Sequence, residues 1–173
     1  GKFPITTLTE EKRTAAVPID SRPGSTPAVL GERVFFGTEG GDFYAIDWKK
    51  AKTAWKFHNP DRALAIRSSA AAADDAIVFA GRDEIVHALD PATGDEKWTF
   101  ALRRAADSSP VIVGNRVIAA ASDGRIYLLD RTTGEKRWEY DAGGNFAASP
   151  AVAEGRIVIG NKDGTVYCFE NGS

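Results

Sequence analysis

Short apolar runs alternate with turn residues along most of the chain, and the alternation recurs four times in fixed register. In the clearest copy, Ser109 to Tyr140, the runs SPVIV, RVIAAA, RIYLLD and EKRWEY follow one another. Each has the length of a strand and none is long enough for a typical helix. Gly114-Asn115 separates the first pair, Asp123-Gly124 the second, and DRTTG, ending at Gly134, the third. Asp123-Gly124 suits the positive φ angles of a type I′ hairpin, so the copy predicts a four-stranded antiparallel meander.

The other copies follow the same grammar with local departures. The second reads SAAAA, AIVFAG, IVHALD and EKWTF, with Asp83-Glu84 at the hairpin, which predicts another turn geometry or strain. The first reads TPAVL, RVFFG, FYAID and TAWKF, with Gly40-Gly41 at the hairpin. Its third connection, DWKKA, puts Ala51 where the others have Gly94 and Gly134, so that corner is expected to differ. The fourth reads SPAVA, RIVIG and TVYCFE and has no Trp-bearing strand. Three extra residues between the first two copies fall in HNPDRALAIRSS, a connecting loop where insertions cost little.

The register is strict. Pro27 to Asp47, Ala70 to Asp90, Pro110 to Asp130 and Pro150 to Glu170 are each twenty residues apart, and Trp55, Trp98 and Trp138 each follow their Asp by eight. One supersecondary unit is therefore stacked repeatedly. Counting back twelve residues from Pro27, the spacing between Trp98 and Pro110, lands on Ala15 in KRTAAVPI, where a fourth strand for the last copy belongs. Three whole units plus one divided between the ends is what circular closure requires. The expected fold is all-β, a β-propeller of four-stranded antiparallel blades with four blades per chain. The blades are assigned to residues 26–58, 69–101 and 109–141, with an incomplete blade at 149–170, a candidate closing strand at 12–20 and an N-terminal extension at 1–11.

Composition adds mainly exclusions. Hydrophobic residues at 43% and charged residues at 27% are globular values and argue against disorder. A net charge of −2 gives no bulk reason to bind nucleic acid or an anionic membrane, and no apolar run has the length of a membrane helix. The single cysteine, Cys168, has no internal disulfide partner and reads as a buried strand thiol. The sequence begins at Gly1 and contains no methionine, as expected of a processed or excised piece.

Small apolar inner strands suit the crowded part of a wedge, and Trp55, Trp98 and Trp138 are read as wedges between blades. The motif D-x-x-T-G-x-x-x-W, present as Asp90 to Trp98 and Asp130 to Trp138, resembles the tryptophan-docking motif of the PQQ-like β-propeller family. SPAV at residues 149–152 and SDGxxYxLD at residues 122–130 strengthen the likeness, which covers roughly residues 26 to 170. It implies structural docking roles for Trp55, Trp98, Trp138, Gly94, Gly134, Asp47, Asp90 and Asp130. Members usually have seven or eight blades. Closure is left open between two chains forming one eight-bladed ring, a piece of a longer protein, and a four-bladed monomer.

The resemblance also implies an enzyme alternative, the quinoprotein dehydrogenases that use PQQ and calcium. Their disulfide between adjacent cysteines cannot be made by Cys168 alone, and no catalytic, cofactor-binding or metal-binding residue is carried over. His58 and His87 do not suggest a metal pair, and Ser68-Ser69 and Ser108-Ser109 read as hydrogen-bonding joints rather than nucleophiles. Asp83, Asp123 and Asp163 are hairpin residues. Arg22, Arg62, Arg67, Arg103 and Arg104 fall in loops between blades and Trp48 lies beside Lys49, Lys50 and Lys52. Arg67, Arg103, Arg104 and Trp48 are the candidate contact residues. The expectation is a non-catalytic scaffold or binding module, without cofactor, for a protein or polysaccharide partner in the periplasm or outside the cell, with a homodimer as one way to close the ring. A sensor domain of a larger protein is a further alternative.

Overall fold

The computed structural model describes residues 16–170, in which fifteen strands form four antiparallel sheets, each with its strands in sequence order. Blade 1 consists of β1 (Ala28–Leu30), β2 (Arg33–Gly37), β3 (Asp42–Asp47) and β4 (Lys52–His58). Blade 2 consists of β5 (Ala71–Ala73), β6 (Ala76–Ala80), β7 (Ile85–Leu89) and β8 (Glu96–Ala101). Blade 3 consists of β9 (Val111–Val113), β10 (Arg116–Ala120), β11 (Arg125–Asp130) and β12 (Lys136–Asp141), and blade 4 of β13 (Ala151–Ala153), β14 (Arg156–Gly160) and β15 (Val166–Phe169). No helix occurs among the described residues, as the strand-length apolar runs require.

Successive residues of a strand point to opposite faces, so a sheet with neighbours on both sides needs apolar residues at consecutive positions. β6 meets that need with AIVFA, buried throughout. Ile77 and Phe79 turn toward blade 1 and meet Phe35, Phe43 and Trp55, while Val78 and Ala80 turn toward blade 3 and meet Val117, Ala119 and Tyr127. Phe43 and Phe79 stack with ring centroids 4.0 Å apart. Between blades 3 and 4, Ile118, Ala120 and Ile126 meet Ile159 and Phe169, with Phe146 of the connecting loop beside them.

Two turns differ from expectation. At Asp123-Gly124 only the glycine has positive φ, 81°, so the hairpin is not type I′. Gly124 N donates to Ala121 O and Ala121 N to Arg125 O, at 3.2 and 3.0 Å, which makes a three-residue loop ending in a left-handed residue. Asp123 keeps ordinary backbone angles because its Oδ1 accepts the Arg125 N–H at 3.2 Å and closes the turn by side chain. The same two backbone bonds recur at Thr38–Asp42, Gly81–Ile85 and Asn161–Thr165. The geometry is constant, and Glu84 is held at a φ of 68° where the other blades place Gly41, Gly124 and Gly164. The corner at Ala51 differs only in part: its φ is 51°, and Lys50 N donates to Asp47 Oδ1 at 2.8 Å as Thr93 N donates to Asp90 Oδ1 at 3.0 Å, but the bond from Gly94 N and Gly134 N to the Asp carbonyl is not repeated there. The Asp side chain organises the turn whether or not glycine ends it.

Of the candidate closing strand, residues 12–15 lie outside the described residues. Val17 and Ile19 pack on Phe36, Tyr44 and Ile46 of blade 1, and among the described residues β15 has no strand on its outer edge. Cys168 is exposed rather than buried, because among the described residues no sheet covers that face of blade 4.

A left-handed non-glycine residue costs on the order of 1 kcal/mol or more. Glu84→Gly should therefore raise the melting temperature by a few degrees despite losing the exposed Arg62 ion pair, a change that calorimetry would register. An unchanged or lower value would show that Glu84 is not strained.

Candidate functional site

The recurrent polar and aromatic residues meet at the joins between blades. Asp90 Oδ1 accepts the N–H groups of Ala92 and Thr93 at 2.7 and 3.0 Å, and Gly94 N donates to Asp90 O at 2.9 Å. This compact corner lies on the indole of Trp55 from the preceding blade, whose Nε1 donates to Pro91 O at 3.1 Å. Gly94 is in the left-handed region, φ 81°, and a Cβ there would stand 2.7 Å from the Trp55 ring. The Asp130 corner lies on Trp98 in the same way: Nε1 donates to Arg131 O at 2.8 Å, and a Cβ on Gly134 would stand 2.6 Å from the ring. The motif thus joins two blades, its D-x-x-T-G half docking the tryptophan that came before.

Backbone N–H bonds from Lys50 hold the Asp47 carboxyl below the usual carboxylate range, and those from Thr93 and Ala92 do the same for Asp90. The Arg137 guanidinium, 3.1 Å away, has that effect on Asp130. Trp138 is 37% exposed, against 9% for Trp55 and 8% for Trp98. The positions after Glu170 lie outside the described residues. An apolar cavity of about 500 Å³, lined by Leu128, Trp138, Ile157, Cys168 and Phe169, lies beside the indole.

One device has no sequence signature. In each complete blade the register of the last two strands shifts beside the tryptophan: Ala45 pairs with Trp55 and Ile46 with Thr53, and the equivalent shifts follow Ala88 and Leu128. The residue left over is Ala54, Lys97 or Arg137. These bulges locally re-aim the strand where the indole must leave the sheet.

The loops between blades meet the second-to-third-strand hairpins at one end of the sheets. Glu39 N, Arg82 N, Ser122 N and Lys162 N donate to the carbonyls of Arg22, Ala65, Ala105 and Asn145, a bond repeated at all four blades. Ser69 N donates to Ser109 Oγ and Ser109 N to Ser149 Oγ, at 2.9 and 3.0 Å, so the serine joints link blade to blade. Arg67 is held bidentately by Glu39 and Arg82 by Asp107, and Arg62 pairs with Glu84. Arg103 and Arg104 are exposed at this end. Trp48 is at the other end, 46% exposed, with its Nε1 directed at Gly31 O and Lys49 over its ring. The candidate contact residues therefore form two surfaces.

Both histidines are tied to carboxylates. His58 Nδ1 lies 2.7 Å from Asp42, and the buried His87 lies between Asp83, 2.8 Å from Nε2, and Glu96, 3.1 Å from Nδ1. Burial pushes the Asp83 carboxyl up, but hydrogen bonds with His87 and Asn59 outweigh it and leave the group below its ordinary value. His87 also stacks on Phe79, so the cluster belongs to the interface of blades 1 and 2.

Residues 12–173 match the family described as outer membrane protein assembly factor BamB, built of PQQ-like repeats. The chain belongs to this family. A comparison with curated proteins returns no match. Among solved structures, BamB from Moraxella catarrhalis superposes with a TM-score of 0.77 at 20% identity, over 87% of this chain and 47% of that one. The computationally designed Ika4 protein gives 0.83 at 20% identity, over 94% of this chain and 100% of its own. Quinohemoprotein alcohol dehydrogenase from Comamonas testosteroni gives 0.70 at 17% identity, over 80% and 29%. At these identities the likeness is one of fold. The chain spans about half the length of the Moraxella BamB that it matches.

Trp98→Ala should cost about 3–5 kcal/mol, whereas Trp138→Ala, half-exposed in the single chain, should cost under half as much; urea denaturation separates the two. Equal losses would contradict the docking assignment. Because Asp83, Asp90 and Asp130 have folded-state values below the ordinary one, the unfolded chain binds more protons as pH falls. Their stabilisation is full above about pH 5 and is lost as pH falls through the folded values. Asp83→Asn should lower the denaturation midpoint at pH 7 and flatten the acid limb, and an acid limb identical to the parent's would exclude Asp83 as a contributor.

Proposed function

We propose that this BamB-like chain is a non-catalytic propeller module that binds a protein or polymer partner outside the cytoplasm. The observation that carries this reading is the employment of its chemically capable side chains. Asp47, Asp90 and Asp130 build docking corners, Ser109 and Ser149 link blades, and His87 and Asp83 sit in an aromatic interface. What the fold presents outward is Arg103 and Arg104 at one end and Trp48 at the other, residue types suited to carboxylate and aromatic recognition.

The dehydrogenase alternative asks for a site that can hold PQQ, a tricarboxylate. Two observations weigh against it. Arg67 and Arg82 already bond Glu39 and Asp107, and the cavity beside Trp138 is lined by apolar side chains, Cys168 and Glu170. No cation lines it to meet a carboxylate.

Titration with PQQ and calcium should give no saturable absorbance change and no dye-linked alcohol oxidation. In parallel, interferometry against an unfolded outer-membrane polypeptide should show binding that the pair Arg103→Glu and Arg104→Glu, or Trp48→Ala, weakens at least tenfold without changing the melting temperature. Turnover with PQQ, or the absence of any binding, would overturn the proposal.

A further inference from the structure

The join of blades 1 and 2 departs from the next join at its outer part. Between blades 2 and 3 the chain fills this place with its own cation: Arg125, on the face of β11 that carries Tyr127, bonds Glu139 and Asp141 of β12, and Lys136 bonds Glu139 as well. The Arg125 side chain is only 18% exposed. Strand pairing sets Arg125 opposite Asp141 and Tyr127 opposite Glu139, as it sets Ile85 opposite Ala101 and His87 opposite Thr99. Ile85, Thr99 and Ala101 of blade 2 therefore stand where blade 3 has Arg125, Glu139 and Asp141. Three long charged side chains give way to uncharged ones of shorter reach.

A cavity of about 300 Å³ opens there. Phe57, Ile85 and the His87 ring line it from the sheets, with the Phe57 and His87 rings 5.2 Å apart. Asn59, Pro60 and Asp61 line it from the connecting loop, which has three more residues than the loop between blades 2 and 3. Asn59 ties that loop to blade 2: its Nδ2 donates to Asp83 Oδ2 at 2.9 Å, and its Oδ1 accepts the Asp61 N–H at 3.1 Å. The other titratable side chain on the cavity besides Asp61 and His87 is Glu96, which meets His87 Nδ1 at 3.1 Å through Oε2. Arg62, next to Asp61 in the chain, bonds Glu84 at 3.0 Å instead, and among the described residues no lysine or arginine lines the cavity. An anion entering it would meet carboxylates, whereas a cation on an apolar stem suits both the aromatic floor and the acids at the rim.

We propose that this cavity binds an ammonium or guanidinium group carried on a short apolar stem. The stem lies on Phe57 and Ile85, and the cation stands against Glu96 and Asp61, in the place that Arg125 takes one join later. Ligands of this chemistry are free alkylamines and the lysine or arginine side chains of a polypeptide. The site stands apart from Arg103, Arg104 and Trp48 and does not rest on a binding role for them.

Magnetic resonance of the His87 ring reads the site directly, because that ring is part of its lining. At constant pH and ionic strength, n-butylammonium chloride or the blocked tripeptide leucyl-lysyl-leucine should shift the His87 signals saturably, and sodium butyrate should not. Tripeptide binding at least tenfold tighter than that of n-butylammonium would assign the site to a polypeptide side chain, and equal or weaker binding would assign it to a free amine. Asp61→Asn should weaken the better probe at least threefold. Ile85→Arg combined with Thr99→Glu copies the filling of the next join and should abolish binding while keeping the near-ultraviolet signal of docked Trp55 and Trp98. Thr99→Arg, at an exposed position, sets a cation beside Glu96 and tests the same block should the double variant fail to fold. No saturable shift with either cationic probe, an equal shift with butyrate, or full binding in the folded blocking variants would each overturn the proposal.

Discussion

The join of blades 1 and 2 and that of blades 2 and 3 each turn on an indole lying under a corner that has no side chain. Trp55 and Trp98 cover the core between two sheets and place Nε1 on the carbonyl at the start of the next corner, while Gly94 and Gly134 let the backbone come down onto the ring. Dispersion and apolar burial supply most of the attraction, and the hydrogen bond fixes its direction. The rest of the architecture serves this contact. The aspartate at the head of the motif tightens the corner, and the bulge opposite Ala45 or Ala88 re-aims the strand beside the tryptophan.

The stacking of sheets also accounts for the hydrogen bonding of the polar residues at the joins. A stack of sheets with two apolar faces each buries whatever stands at its joins, and buried polar groups must be bonded. His87 is bonded on both ring nitrogens, Ser68 bonds the backbone of Ala80, and Arg82 holds Asp107 across a loop. Arg103 and Arg104 at one end and Trp48 at the other lie exposed, clear of the joins.

Much of this was legible in the residues, and the exceptions have physical causes. The spacing of Asp90 to Trp98 and Asp130 to Trp138 carried the repeat, the strands and the docking motif because each depends on residues close in sequence. The bulges were not legible, since Ala54, Lys97 and Arg137 share no property. The burial expected for Cys168 failed because alternation reports which residues share a face and not whether another sheet covers it. The neutralisation of Arg67 and Arg82 depends on loops meeting hairpins of neighbouring blades, a contact between residues 25 or more positions apart. The hairpin at Asp123-Gly124 was misread because the aspartate closes the turn with its side chain.

A double-mutant cycle on Trp98 and Gly134 tests the central contact most directly. Each single alanine substitution removes or wedges apart the same pair, so once the indole is gone the added methyl has nothing to strike. The account predicts that Gly134→Ala costs at least about 1 kcal/mol less in the Trp98→Ala background than in the parent, with a remainder due to its left-handed backbone. Costs that simply add would show that the corner and the indole do not bear on one another.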